Sequence, residues 1–251
     1  MRKPPITFSE EGGVRYLHFG TEWIQGAMNL KRPYAIELEY AQQMMAPWLF
    51  LDAPEHVMQL GLGAASLTKF CYQAFPKARI TAIELDGEVI AAARSMFRLP
   101  SNDDRLTVIE GDAAAVAGNP QLRKSVDWLQ VDLYDASARG PVLNSEGFYG
   151  ICRSLLKEPG VMSVNLFGDH PSFDKNWHAI CRAFDNRALA LPEVHEGNRV
   201  VLGFRGPPLE VSWTKLYDVA EEIEHRSRLP AAKWVSAIKS VAGSDHRGLV
   251  V

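Results

Sequence analysis

Residues 55–88 read EHVMQLGLGAASLTKFCYQAFPKARITAIELDGE. The first piece, His56 to Leu62, is a short apolar run that halts at the glycines Gly61 and Gly63, as a strand buried on both faces does. Helical apolar spacing follows from Ala65 to Phe75. A second apolar run, Arg79 to Ile83, is closed by Glu84. The order is therefore strand, glycine turn, helix, strand, acid. Glycines let a ligand approach the backbone at the carboxyl end of a strand, beside a helix N-terminus. An acid about twenty residues further on, at the tip of the next strand, is placed to accept hydrogen bonds from the two hydroxyls of a ribose. An ordinary βαβ unit with a chance Gly-x-Gly gives the same spacing. A dinucleotide fingerprint wants a third glycine where Ser66 stands, so the reading leans toward a single nucleoside and away from a pyrophosphate.

With 251 residues, the chain can form one sizeable α/β domain with a small appendage. A net charge of −3 provides no basic field for nucleic acid. No apolar run is long enough to span a bilayer, so no membrane partner is expected. The N-terminal MRKPPITFSEEGG lacks an apolar signal core, and a cytoplasmic location is the expectation. Cys71, Cys152 and Cys181 lie far apart in apolar helical patterns and read as buried, reduced thiols. The seven histidines show no ligand spacing such as HxxxH, so no metal is expected.

Residues 6–30 alternate apolar and polar positions, broken by Gly12-Gly13 and Gly20, and predict a small antiparallel meander. It is too short to stand alone and should pack on the rest of the chain. We divide the chain into this meander, residues 1–34, and an α/β domain, residues 35–251. Spacing from Ala35 to Leu51 is helical, with Met44, Met45 and Trp48 as core. Glu88 to Phe97 predicts a helix, and Leu106 to Ile109 a third strand closed by Glu110-Gly111-Asp112. Asp112 there can accept from an exocyclic amine such as adenine's, or cap the alanine-rich helix after it. Val126 to Val131 is a fourth strand, and Asp132 and Asp135 follow at its carboxyl end. Two acids there form a candidate cation or general-base site, with capping and turn chemistry as the alternative. A helix from Ser145 to Leu156 and a turn at Pro159-Gly160 lead to a fifth strand, VMSVNLF. A helix from Phe173 to Phe184 precedes a hairpin, Ala188 to Val194 and Val200 to Phe204, turned at Glu196-Gly197-Asn198. Helical spacing returns over Leu209 to Ile223 and Ala231 to Val241.

Alternating βα units with a terminal antiparallel hairpin resemble the class I S-adenosylmethionine-dependent methyltransferases. From about Gly13 to Pro207 the chain more specifically resembles the spermidine synthase family of aminopropyltransferases. Gln25 lies where the family's Asp-Gly-x-x-Gln region has its glutamine, and Tyr40 resembles the tyrosine of Tyr-His-Glu-Met. Ile83-Glu84-Leu85-Asp86 is similar to Val-Glu-Ile-Asp, and Gly111-Asp112 to Gly-Asp. Asp132 to Pro141 is similar to Asp-Ser-Ser-Asp-Pro-x-Gly-Pro, and Phe148-Tyr149 and Leu156-x-x-Pro-Gly160 match the next segment. The resemblance implies a Rossmann-like fold with a mostly parallel seven-stranded sheet behind a small β cap. It implies that Glu84 holds the ribose, Asp112 the adenine amine, and Gln25 the chain of the co-substrate, with Gly61, Gly63 and Gly111 in the same binding set. It gives Asp132 the role of base for the attacking amine, and Tyr40 and Asp135 contact with the amine, Asp135 at its far end. Family members are often dimers, so a homodimer is possible.

The family's Gly-Gly-Gly-Asp-Gly-Gly is here Gly61-Leu62-Gly63-Ala64-Ala65-Ser66, and its His-Glu is Ala41-Gln42. The family's acid, at the position of Ala64, helps to recognise the aminopropyl amine. Its absence predicts weak discrimination between S-adenosylmethionine and its decarboxylated form. The reading is a spermidine-synthase-like transferase that moves an aminopropyl group from decarboxylated S-adenosylmethionine to a small amine such as putrescine, with no metal. The alternatives are an S-adenosylmethionine-dependent methyltransferase and a non-catalytic nucleoside-binding protein of the same fold.

Overall fold

The computed structural model describes residues 4–134, 143–242 and 247–251. Strand β4 (His56–Leu60) is buried at all five positions. It pairs in parallel with β5 (Arg79–Glu84), Leu60 opposite Ile83. On its other edge it pairs in parallel with β7 (Val126–Val131), Leu60 opposite Val131. Beyond β5 lies β6 (Leu106–Glu110), also parallel. Beyond β7 come β8 (Leu156–Phe167), parallel to it, then β10 (Asn198–Arg205) and β9 (Ala188–Ala190), both in antiparallel pairs. The seven-stranded order is β6-β5-β4-β7-β8-β10-β9. The chain winds outward from β4 to β6, then returns to lay β7 on the other side of β4. A crevice opens at the strand tips where the winding reverses.

Two apolar layers cover the sheet, as buried parallel strands require. One face is packed by α2 (Ser66–Ala74), α3 (Gly87–Met96), α7 (Trp213–Ser227) and α8 (Ala231–Ala242), with Trp48, Trp128 and Trp234 among the core residues. The other is packed by α4 (Ala113–Ala117), α5 (Glu146–Leu155) and α6 (Ser172–Ala183). Tyr149 is fully buried there and donates to Asn176 Oδ1 at 2.7 Å, which satisfies its hydroxyl. The N-terminal β1 (Ile6–Glu11), β2 (Val14–Phe19) and β3 (Gly26–Asn29) form an antiparallel sheet. Leu17 and Met28 of this sheet pack with Ala64 and Phe97 in a third, small core. Ser66 Oγ donates to the Ala27 carbonyl at 2.8 Å and ties β3 to the start of α2.

Several local readings change. Ala35 to Leu51 is not one helix. It holds α1 (Glu39–Gln43) and a separate 3₁₀ turn, Ala46–Leu49, because Pro47 brings no N–H and cannot continue an α-helix. Pro159-Gly160 does not turn the chain before the fifth strand. β8 runs through it from Leu156, with a cis peptide at Glu158–Pro159. The last residues before Ala27 are not all strand, since Trp23 to Gln25 precede β3 as irregular chain. Residues 210–212 (β11) and 248–250 (β12) pair into a two-stranded sheet that periodicity did not reveal. Cys71 and Cys152 are buried, while Cys181 is only half-buried. Among the described residues no helix is long and apolar enough to cross a membrane.

Candidate active site

At the reversal of the winding, β4 ends in Gly61 with φ +95°. A Cβ at Gly61 would collide with the Asp132 carbonyl oxygen, so both the conformation and the close approach of β7 require glycine. Gly63 is also left-handed, φ +50°, and lies against the Gln25 carbonyl. Ala65 follows at φ 56°, a conformation that a side chain adopts at a cost, and α2 begins at the next residue. A cavity of about 460 Å³ opens over this turn. Gln25, Tyr40, Gly61, Gly63, Glu84, Asp112 and Asp132 all line it. Gly111 does not. Its N–H donates to the Glu84 carbonyl at 2.9 Å and extends the β5–β6 ladder to the cavity edge. Asp135 lies outside the described residues.

On the β5 and β6 side the acids rest on backbone. Glu84 Oε2 accepts the Leu62 N–H at 3.1 Å, and Oε1 accepts the Asp86 N–H at 3.0 Å. The carboxylate is thus fixed between the glycine turn and the start of α3, with lone pairs left for a diol. Asp112 Oδ1 caps α4 by accepting Ala114 N–H at 2.7 Å and Ala115 N–H at 3.3 Å. Capping and cavity lining coexist there, because only one of its two oxygens is used by the helix. Trp23, Ile24 and Leu85 are exposed apolar residues of this lining, a surface suited to the faces of a base.

On the β7, β8 and β10 side the acid rests on side chains. Asn165 Nδ2 donates to Asp132 Oδ1 at 2.9 Å, and the Tyr40 hydroxyl donates to Oδ2 at a long 3.4 Å. Asn198 Nδ2 in turn donates to Asn165 Oδ1 at 3.0 Å, which fixes the amide that holds Asp132. Protein surrounds the Asp132 carboxylate except where it meets the cavity. That desolvation raises its pKa, and the bonds from Asn165 and Tyr40 pull it part of the way back. Burial, then the nearby Asp132 charge, push the Tyr40 phenol well above its ordinary range, so it stays a neutral donor. Tyr134 stands beside Asn198 with its buried hydroxyl lacking any well-formed hydrogen bond among the described residues.

Asn165 and Asn198, which hold Asp132, are not assigned to the site from the sequence. Asn165 had left a trace, one amide inside the apolar run VMSVNLF, and a buried amide in a central strand demands a partner. Ala64 is also placed. It is 2% exposed, packs against Gly26, and is not part of the cavity wall.

The sequence is 33% identical over 236 residues to the polyamine aminopropyltransferase of Chromobacterium violaceum, covering 94% of this chain and 90% of that one. The chain belongs to the polyamine aminopropyltransferase family. No family model matches it. Among solved structures, a probable spermidine synthase from Corynebacterium glutamicum superposes with a TM-score of 0.72 at 19% identity, over 93% of this chain and 91% of that one. Human methyltransferase-like protein 13, in complex with SAH, superposes with a TM-score of 0.65 at 24% identity, over 76% of this chain and 93% of that one. These two likenesses establish the fold: a Rossmann-like sheet shared by aminopropyltransferases and class I methyltransferases.

Proposed function

We propose that the chain transfers an aminopropyl group from decarboxylated S-adenosylmethionine to a small amine such as putrescine. The donor set supports a nucleoside of this type. Glu84 offers acceptors to a ribose diol, Asp112 offers one to an exocyclic amine, and the Gly61–Gly63 turn leaves room for the sulfur-bearing chain beside Gln25. When bound, the sulfonium supplies an activated carbon and a neutral thioether as leaving group. A C–N bond then forms as the C–S bond breaks, and the sulfur keeps the electron pair. The protein's part is alignment and proton removal. Asp132 is the observation that carries this reading. Its carboxylate is desolvated and held on both oxygens, and Asp132 lines the cavity with its backbone carbonyl against Gly61 at the turn. A carboxylate whose pKa is raised is a better acceptor for an ammonium proton than a solvated one. The same negative charge draws the protonated amine into the cavity before the proton leaves.

Methyl transfer from intact S-adenosylmethionine is the second reading, supported by the fold shared with human methyltransferase-like protein 13, solved in complex with SAH. One assay separates them. Incubation with putrescine and either cofactor should yield spermidine and methylthioadenosine from the decarboxylated form. Methylated product from the intact form, with no spermidine from the other, would overturn the first reading. A competition titration of the two cofactors should show weak preference between them. Installing Ala64→Asp alone should not restore a strong one, because Ala64 packs on Gly26 and does not face the cavity wall.

A further inference from the structure

Glu196, in the turn between β9 and β10, is an acid of the cavity that no motif of the sequence reading covers. It lines the same cavity as Asp132 and Tyr40. Its Oε1 accepts the Glu39 N–H at 2.8 Å, while Glu39 Oε2 accepts the His195 N–H at 3.3 Å. The Glu196 carboxylate thus holds the Glu39 backbone and the Glu39 carboxylate holds the backbone of His195, so the turn is pinned to the start of α1, one residue from Tyr40. None of the ion pairs among the described residues includes Glu196 or Glu39. Glu196 at the cavity end, with Glu39 tied to the same turn outside the lining and neither acid in an ion pair among the described residues, creates a local field for a cation. Glu196 is close enough to act electrostatically on Tyr40, whose hydroxyl donates to Asp132.

The sheet sets the spacing. Asp132 follows β7, and Asn198, two residues after Glu196, begins β10, which is separated from β7 only by β8. Two strand spacings are about 10 Å. An ammonium about 3 Å from each carboxylate leaves a span of a few carbons between the two nitrogens. The nucleoside side, at Glu84 and Asp112, lies on the opposite side of β4 and does not compete for this end.

We propose that Glu196 binds the far ammonium of a diamine acceptor and selects diamines over monoamines. This inference rests on the aminopropyl-transfer reading for its reaction, and it gives the far end of the acceptor to the β9–β10 turn. The test is Glu196→Gln, which keeps the oxygen that accepts the Glu39 N–H and removes the charge. Wild type and variant are compared with 1,4-diaminobutane and with n-butylamine. Glu196 is exposed at the cavity rim, so the expected loss is moderate: the diamine-to-monoamine ratio of kcat/KM falls about tenfold, through KM for the diamine. An unchanged ratio overturns the proposal, as does the same collapse appearing only in Asp135→Asn. Calorimetry of the two amines on the protein with methylthioadenosine bound gives a readout free of turnover. A diamine preference that Glu196→Gln removes supports the proposal even if wild type forms no spermidine, a result that would sink only the aminopropyl-transfer reading. No preference, or one that survives the substitution, overturns it.

Discussion

Glu84 and Asp132 end strands that flank β4 on either side, yet they are held in different ways. Glu84 is gripped by two backbone N–H groups, both within 22 residues of it in sequence. Asp132 is gripped by two side chains, Tyr40 and Asn165, that are 92 and 33 residues away. Backbone amides arrive with the turn itself and cost no further ordering, so they suit a group that must present fixed acceptors to a ligand. Side chains around a desolvated carboxylate do something else: they determine how readily it takes a proton. On the proposed reading, the Glu84 side is the nucleoside wall and suits binding, and the Asp132 side is the amine wall and suits proton transfer.

The largest expected effect breaks the second wall. Asp132→Asn keeps the shape and removes the proton acceptor, so turnover should fall by about 10²–10⁴ with little change in cofactor affinity. Its effect on stability should have the opposite sign. The folded pKa of Asp132 lies above its unfolded value, so the stability it contributes is present at low pH and is lost as pH rises through the folded pKa. Asparagine escapes that loss. The variant should melt at a higher temperature than wild type at neutral pH, with the gap closing on acidification. A variant that loses cofactor affinity but keeps turnover would make Asp132 a binding residue and erase the contrast.

Breaking the first wall should give a different signature. Glu84→Ala would remove the two ribose contacts proposed for Glu84, each worth roughly 1.5–3 kcal/mol when charge-assisted. Nucleoside binding, read by calorimetry with methylthioadenosine, should weaken at least about tenfold. Turnover at saturating cofactor should hold up far better than in Asp132→Asn. Unchanged affinity in a folded variant would remove the ribose assignment.

The same contrast explains what the sequence revealed. Gly61, Gly63, Glu84 and Asp112 fall within one stretch of alternating strand and helix, where spacing alone orders them along adjacent strand tips. Local chemistry marks them too: glycines that a turn needs, and acids that close strands. The winding, strand, helix and strand again, was legible for the same reason. On the other wall, Asp132 was found by its place at the end of an apolar run, and Tyr40 only through the family resemblance. Asn165, Asn198 and Glu196 come from strands and turns that reach Asp132 only when β8 and β10 add to the sheet. Nothing in the neighbourhood of Glu196 in the sequence points to residue 40 or 132. The Ala35–Leu51 helix failed for a local reason, since apolar spacing does not register that Pro47 removes a donor in mid-run.

The smallest effects grade the amine wall from within. Asn165 and Tyr40 both lower the Asp132 pKa, so removing either should move the acid limb of the pH–rate profile to higher pH. Asn165 should matter more. Its bond is 2.9 Å against 3.4 Å for Tyr40, which lies at the weak end of hydrogen-bond geometry, and its loss also strips Asn198 of an acceptor. Asn165→Ala should lower kcat about five- to tenfold, and Tyr40→Phe about two- to threefold, near the low end for a single neutral donor. Tyr40→Phe should add no new titration of its own, because the phenol that it removes is already held neutral. A pH–rate series on wild type and the two variants reads all three quantities at once. Acid limbs that stay put in both variants would mean that the titrating group is not Asp132. The larger shift in Tyr40→Phe would mean that the phenol, and not the Asn198–Asn165 relay, governs the base.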